Sequence, residues 1–416
     1  MRLIFIVFIS ICLANKTLVI LERNEDQQKF SQFIELLKKN GDEVEIINKM
    51  TLFQLFENGE KKYSNVILLT PHYTFKKVSV KEFIQFIDNG GNMVITVGKK
   101  YEDGYKQLLY SLDMEVDSNG SNVVDEKHTV KIGEFEMIFS NNVHNNQNIF
   151  NQRIQNILFS GIGLYLPPSP FTSSLLKAQN SASTSLFPNV SFAQETNITL
   201  VASLQARNNA RIIVSGSSLL FSNIAFDSVI EHPSLNLIKS DNKKFTENII
   251  DWVLQRRCVI RMKNIHWEKI NGVKEVDYDH QLVINDTIKV NVELEQLDQG
   301  NYVPFNVDDL QIEFKLLDPV IVKNFKRIDN GKYEVIVQTP DKFGVYTMII
   351  NYRRPFLSYL EYKETIPLRT FRLTQVDRFL TGAYPFYAAC ASMAVGFIVF
   401  SFIYLNQIEK KEIKQD

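Results

Sequence analysis

Apolar and polar positions follow two rhythms along this chain, one before about residue 256 and another after it. In the first stretch, short apolar runs alternate with helical spacings. Residues 17–22 (TLVILE) predict a buried strand. Phe30, Phe33, Ile34 and Leu37 then recur at i, i+3, i+4 and i+7, one face of a helix that Asn40-Gly41 stops. Residues 44–47 predict a second strand. Thr51 is placed to cap a short helix through Leu52, Phe53, Leu55 and Phe56, ending at Asn58-Gly59. Residues 66–69 read as a third strand closed by Pro71. Val80, Phe83, Ile84 and Ile87 repeat the helical spacing, and 88–91 (DNGG) turns the chain into a fourth strand at 93–97. Strands alternating with helices imply a doubly wound α/β layer.

The middle is less regular. Residues 141–151 are rich in Asn and read as loop, and 166–188 as a Pro/Ser-rich excursion. Strands resume at 198–206 and 212–215. Phe245, Ile249, Trp252 and Val253 form the last helix face of this region. From Cys258 the period changes to two: 288–292, 310–316, 333–337 and 345–352 read as strands, with turns at Asn271-Gly272 and Asn330-Gly331. Pro340 to Tyr346 resembles a tyrosine corner, so a β-sandwich is expected over 257–368.

Two apolar segments change the class of the protein. Residues 3–14 (LIFIVFISICLA) follow Met1-Arg2 and end on a small residue, the pattern of a secretory signal peptide over 1–14. Residues 383–405 run without a charge, long enough for a spanning helix, with Tyr384, Tyr387 and Tyr404 at its ends. The expected organisation is therefore a lumenal α/β domain at 15–256, the sandwich, a linker at 369–382, the membrane helix at 383–405 and a cytosolic tail at 406–416. Ala388, Ser392 and Gly396 recur every four residues along the helix, a row that lets another helix come close.

Charge and cysteine content narrow the function classes. Lys and Arg number 46 against 47 Asp and Glu, spread without a basic stripe, so nucleic acid is excluded as a partner. Of the three cysteines, Cys12 lies in the signal and Cys390 in the membrane helix, which leaves Cys258 without a lumenal partner. This favours an endoplasmic reticulum resident over a disulfide-braced surface receptor.

Catalytic chemistry is hard to find in the sequence. The first strand ends in Glu22-Arg23-Asn24-Glu25, with no glycine to admit a pyrophosphate, and Gly161-Ile162-Gly163 begins a GxG that Leu166 breaks. No GxSxG occurs, and the six histidines form no HxH or HxxxH pair. No catalytic, cofactor or metal residue is expected. Among the N-x-S/T sequons, Asn189, Asn197 and Asn285 are candidate glycan acceptors, although the number of sequons is no more than chance supplies.

Longer motifs carry a resemblance. Residues 206–211 (ARNNAR), then Val214-Ser215-Gly216-Ser217 and Phe221-Ser222, resemble the central signature of the oligosaccharyltransferase 48-kDa subunit family. Residues 303–314, Asp318-Pro319, Gly331-Lys332-Tyr333, Pro340-Asp341 with Gly344-Val345, and 375–379 leading into 383–387 match it in the same order. The resemblance implies an amidotransferase-like lumenal α/β domain without its nucleophile, a β-rich domain and one membrane helix. It implies a non-catalytic, structural role in the complex that moves a preassembled oligosaccharide from dolichyl diphosphate to Asn. Catalysis and the divalent metal would reside in a multi-span partner, beside ribophorin-type and small membrane subunits, in the endoplasmic reticulum membrane. Arg207, Asn208, Asn209, Arg211 and Gly216 carry that signature with no role assigned. Competing readings are a lumenal hydrolase or amidotransferase, and a single-pass interaction protein unconnected with glycosylation.

Overall fold

The computed structural model describes residues 16–39, 41–144, 146–150, 152–185, 198–233, 235–270, 282–298, 300–372 and 381–407. Residues 1–15, which include the expected signal, the 271–272 turn and most of the cytosolic tail lie outside them.

The first unit is built on β1 (Lys16–Leu21), α1 (Ser31–Lys38), β2 (Glu43–Asn48), β3 (Asn65–Leu68), α2 (Val80–Asp88), β4 (Asn92–Thr96) and α3 (Asp103–Tyr110). It continues through β5 (Thr172–Lys177), β6 (Thr199–Gln205), β7 (Arg211–Ser215) and α4 (Asn242–Val253). Strands β2, β1, β3, β4 and β7 lie side by side in that order, all parallel. Antiparallel β6 and β5 extend the sheet beyond β7, so it is mixed.

Because strand side chains alternate between faces, each strand supplies both halves of the core. Val19, Ile67, Val94 and Ile213 pack with Phe33 and Leu37 of α1 and Phe245 and Ile249 of α4. Leu18, Val66, Met93 and Ile212 pack with Phe83 and Phe86 of α2 and Tyr105 and Leu108 of α3. Helices thus cover both faces, the doubly wound arrangement that continuous apolar strands require. At the start of α2, the Ser79 side chain accepts from the Glu82 amide and Glu82 reaches back to the Ser79 amide, a capping box.

Three local expectations are corrected. No helix forms at 51–56. The Asn48 side chain accepts from the Met50 and Thr51 amides, turning the chain before Thr51 can cap anything. Leu55 is then buried from a bend that leads into a small hairpin of Phe56–Glu57 with Glu60–Lys61. The 166–188 excursion contains β5, whose Leu175 and Leu176 are fully buried. Asn142–Val143, in the stretch read as loop, pairs with it. Strands Thr129–Ile132, Phe135–Ser140 and Ile157–Phe159 form a separate three-stranded sheet that the pattern did not announce.

The second unit consists of β8 (Arg257–Lys269), β9 (Leu282–Val283), β10 (Thr287–Asp298), β11 (Asn301–Pro304), β12 (Gln311–Lys315), β13 (Pro319–Asn324), β14 (Lys326–Asp329), β15 (Lys332–Gln338), β16 (Gly344–Tyr352) and β17 (Leu360–Arg369). Two five-stranded sheets result: β8-β10-β15-β14 with β11 on β10, and β9-β17-β16-β12-β13. Ile288, Val290 and Val292 of the first and Ile312, Phe314, Met348 and Ile350 of the second join one apolar cluster, while the residues between them face outward. The Tyr346 hydroxyl donates to the Lys342 carbonyl at 3.1 Å, the bond a tyrosine corner makes.

Last comes α5 (Tyr384–Leu405), part of an apolar stretch over Thr381–Leu405 in which an 18-residue window has a mean hydropathy of 2.1 and no burial inside the protein. It is long and apolar enough to cross a membrane.

Candidate functional site

Residues 206–211 form the tight turn from β6 to β7, and its side chains reach three neighbours. The Asn208 amide nitrogen donates to the Ile87 and Asp88 carbonyls, both at 2.8 Å, closing the C-terminal end of α2. Asn209 takes a positive φ of 67°, which Asn tolerates better than most residues. Its side chain pairs with the Tyr359 backbone, accepting from the amide at 2.6 Å and donating to the carbonyl at 3.3 Å. Tyr359 belongs to the β16–β17 connection of the second unit. Arg207 is exposed, its guanidinium 5.2 Å from the centre of the Phe171 ring.

Arg211 is fully buried. Its Nη1 donates to the Trp252 carbonyl at 2.7 Å and the Arg257 carbonyl at 2.8 Å, and its Nη2 to the Cys258 carbonyl at 2.7 Å. The guanidinium also lies 5.1 Å from the centre of the Trp252 ring. Trp252 lies in the last turn of α4, where aligned carbonyls favour a cation. Burial lowers the Arg211 pKa to about 10, so the side chain still carries its charge at neutral pH. A planar fork of five donors suits such a cluster of carbonyls better than a single ammonium does.

A polar ladder continues from this point across the buried sheet. The Arg211 amide donates to Asn92 Oδ1 at 3.0 Å, the Asn92 amide nitrogen to Asn65 Oδ1 at 2.9 Å, and the Asn65 amide nitrogen to Thr17 Oγ1 at 3.0 Å. Asn65 and Asn92 each open a strand in the sequence, yet nothing in the pattern marked them as partners. On the second-unit side, Trp252 Nε1 donates to the Phe356 carbonyl at 2.8 Å, and Gln205 Nε2 donates to the Leu357 carbonyl. The Ser358 hydroxyl accepts from the Ile260 amide at 2.6 Å. The signature turn is therefore a joint between the two units.

Its place on the sheet has a chemical meaning. Ligands of open α/β sheets bind outside the carboxyl ends of the parallel strands. Arg211 begins β7, and Thr17, Asn65 and Asn92 begin or nearly begin their strands, so this cluster occupies the opposite, amino edge. At the carboxyl edge, Gly216 follows β7 directly and its carbonyl accepts from the Ile162 amide at 2.9 Å. A Cβ on Gly216 would stand 1.9 Å from the Ile162 oxygen, and one on Gly161 2.1 Å from the Gly216 oxygen. The broken GxG is thus a backbone-to-backbone contact that lies across the end of β7.

A Ser–His–Asp grouping that the sequence reading missed lies in the first unit. Asp125 Oδ2 is 2.8 Å from His128 Nδ1, and the Ser181 hydroxyl donates to Asp125 at 2.8–2.9 Å. In a nucleophilic triad, Ser and Asp engage opposite nitrogens of the imidazole. Here both approach Nδ1, Ser181 at 3.2 Å, and the carboxylate itself accepts the hydroxyl's hydrogen bond. That geometry braces a turn and does not activate Ser181. Among the described residues, no three His, Cys, Asp or Glu side chains group as metal ligands.

Of the candidate acceptors, Asn189 and Asn197 lie outside the described residues, and Asn285 is exposed in the β9–β10 turn with φ 63°. Ala388, Ser392 and Gly396 stand exposed on α5, with the Ser392 hydroxyl turned back to the Ala389 carbonyl at 2.8 Å.

Comparison with known proteins is then decisive. The family described as OST48, N-terminal domain, matches residues 10–256, and the OST48 middle domain matches 268–408. The dolichyl-diphosphooligosaccharide–protein glycosyltransferase 48 kDa subunit of Caenorhabditis elegans is 29% identical over 416 residues, covering 94% of this chain and 92% of that one. The glycosyltransferase subunit wbp1 of Schizosaccharomyces pombe is 30% identical, covering 86% and 85%. Among solved structures, a ThuA-like protein from Parabacteroides merdae is 11% identical over 58% of this chain and 90% of its own, with a TM-score of 0.36, too slight a likeness to bear on function. With one family match spanning more than half of its length and the other most of the remainder, the chain belongs to the oligosaccharyltransferase 48-kDa subunit family.

Proposed function

We propose that this chain is a structural, non-catalytic subunit of an oligosaccharyltransferase complex, the assembly that transfers a preassembled oligosaccharide from dolichyl diphosphate to Asn in N-x-S/T. The observation that carries the reading is the position of the family signature. Arg211, Asn208 and Asn209 are occupied by backbone groups of α2, α4 and the second unit, at the edge of the sheet away from where a ligand would sit. Side chains engaged in this way support a rigid scaffold and leave the chemistry to a partner.

In this reading the chain is a type I protein of the endoplasmic reticulum membrane. A signal peptide at 1–14 is removed, α5 crosses the bilayer, and the α/β unit and the two-sheet unit, packed as a sandwich, stand in the lumen. The subunit takes no cofactor or metal of its own, and Asn189, Asn197 and Asn285 are its candidate glycan acceptors. Its partners are a multi-span catalytic subunit, small membrane subunits that approach the Ala388–Ser392–Gly396 face, and ribophorin-type subunits.

Purification of the tagged chain from membranes in mild detergent tests this reading. Transfer of lipid-linked glycan to an N-x-T peptide should co-purify with the tag and with a multi-span partner. A single inactive chain, in a detergent that keeps such complexes whole, would overturn it.

A further inference from the structure

The N-x-S/T sequons begin at Asn15, Asn119, Asn189, Asn197 and Asn285, and those at Asn119 and Asn285 lie within the described residues. Both asparagines are exposed, so accessibility does not separate them. Their side-chain amides do. Asn119 Oδ1 accepts from the Tyr101 amide at 3.4 Å, and its Nδ2 donates to the Tyr101 carbonyl at 3.0 Å. Asn209 takes the same grip on Tyr359. Because both contacts go to one residue, they use one edge of the side-chain amide. The Nδ2 hydrogen that donates is therefore the one on the oxygen's side. The rest of this sequon is folded in with it. The Gly120 amide donates to the Lys99 carbonyl at 2.7 Å and the Ser121 amide to the Ser118 carbonyl at 3.0 Å, and Ser121 is buried. Tyr101, itself buried, returns its hydroxyl to the Asp117 carbonyl at 2.8 Å.

Asn285 is placed differently. It sits in the β9–β10 turn, and the residue after it holds that turn together. Asp286 Oδ2 accepts from the Val283 amide at 2.7 Å and pairs with Lys269 at 2.8 Å, while the Asp286 carbonyl accepts from the Thr339 amide at 2.8 Å. The Asn285 backbone amide donates to the Pro340 carbonyl at 3.3 Å. Among the described residues, none hydrogen-bonds to the Asn285 side chain.

We propose that Asn285 bears an N-linked oligosaccharide in the folded chain, and that the grip on Tyr101 keeps Asn119 bare. This rests on the lumenal reading of both units and adds to it a choice between sequons. Transfer joins Asn Nδ2 to C1 of the sugar as the bond from C1 to the dolichyl diphosphate oxygen breaks. The diphosphate leaves with the electron pair, and Nδ2 gives up a proton. The product is a secondary amide, trans like a peptide bond, with the sugar on the oxygen's side of the C–N axis. At Asn119 that is the place of the hydrogen held by the Tyr101 carbonyl. Glycan and grip therefore exclude one another there. A sugar at Asn119 would also prise apart the loop that buries Tyr101 and Ser121. At Asn285 no described backbone group occupies the corresponding place, and the turn keeps its bonds through Asp286 whether or not the side chain is modified.

The test is peptide mapping of the full chain, isolated from membranes and treated with peptide N-glycosidase, which leaves Asp wherever it releases a glycan from Asn. Asn285 is expected to convert and Asn119 to stay Asn. On gels, Thr287→Val should remove one glycosidase-sensitive step and Ser121→Ala none. Both variants spare the asparagine itself, and the buried Ser121 hydroxyl has no hydrogen-bond partner to lose. Lys332→Thr, which makes Asn330 in the β14–β15 turn an acceptor, reports on the compartment. Conversion of Asn119 would overturn the grip as a bar to modification. If Asn330 converts in that variant while Asn285 does not, the choice of Asn285 is overturned and the lumenal reading stands. If Asn330, Asn285 and Asn119 all stay Asn, the lumenal reading falls and the choice of sequon with it.

Discussion

Arg211 shows how much depends on a single side chain here. Three backbone carbonyls, one from α4 and two from the start of β8, converge on its guanidinium, and each would lose a charged donor if it were removed, although the Trp252 and Cys258 carbonyls also accept from the Gln255 and Ser358 amides. A hydrogen bond to a charged group contributes about 1.5–3 kcal/mol, so with three lost Arg211→Met is expected to destabilise the folded chain by about 3 kcal/mol or more. Arg211→Lys keeps the charge but loses the fork, and should fall between the two. Cys258 provides the readout. Its thiol is buried against the Asn148 carbonyl, and burial raises its pKa, so it reacts slowly while the joint holds. Thiol labelling across a denaturant series should show the Arg211→Met midpoint well below the unaltered chain, and equal midpoints would remove Arg211 from the joint. The sequence pointed to residues 207–211 through a family resemblance, but an Arg in a loop signature reads equally well as a ligand contact. Its carbonyl partners lie 41 to 47 positions away, beyond the reach of any local pattern.

At the scale of elements, strands and helices were legible wherever periodicity was strong, and hidden wherever side chains competed with it. The 51–56 segment has helical apolar spacing, yet the Asn48 side chain turns the chain one step earlier. Strand β5 lies inside a stretch whose serines suggested loop, because strand formation there is decided by pairing with β6. The contact between residues 160–163 and the end of β7 is likewise tertiary, and it yields a sharp expectation. Gly216→Ala places a methyl on the Ile162 carbonyl, with no flexible side chain to move aside, and should cost about 3 kcal/mol. Gly41→Ala meets nothing within 4 Å and bears only the strain of φ 78°, about 1 kcal/mol. Chemical denaturation of the two variants side by side measures the difference. Equal losses would mean that backbone strain, and not the close approach, explains Gly216.

Across the whole molecule, the joint couples two units with separate sheets. Asn209, Gln205 and Trp252 each bond to the β16–β17 connection, so unfolding of either unit exposes polar groups of the other. Calorimetry of the full chain in detergent should show one transition for the two units together. The double substitution Gln205→Ala with Asn209→Ala should split it in two, with the amplitude divided between them. Two transitions in the unaltered chain would mean that the units fold independently and that the joint only positions them. Coupling of this kind suits a scaffold, because a rigid body transmits position from the membrane to whatever the α/β unit holds.

The sequence by itself determined the class of each region: the alternation of strand and helix before residue 256, the period of two after it, and an uncharged apolar stretch at 383–405. These follow from local chemistry, since periodicity and the hydrophobic length of a bilayer act on neighbouring residues. The family resemblance also lay within its reach, carried by runs of consecutive residues. Only the tertiary structure decided which edge of the sheet the signature occupies, what Arg211 binds, why Gly161 and Gly216 must lack side chains, and that Asn65 and Asn92 bridge neighbouring strands. Strand order sets all four, and strand order comes from pairings between residues tens to more than a hundred positions apart, whose hydrogen bonds exist only once the chain has folded.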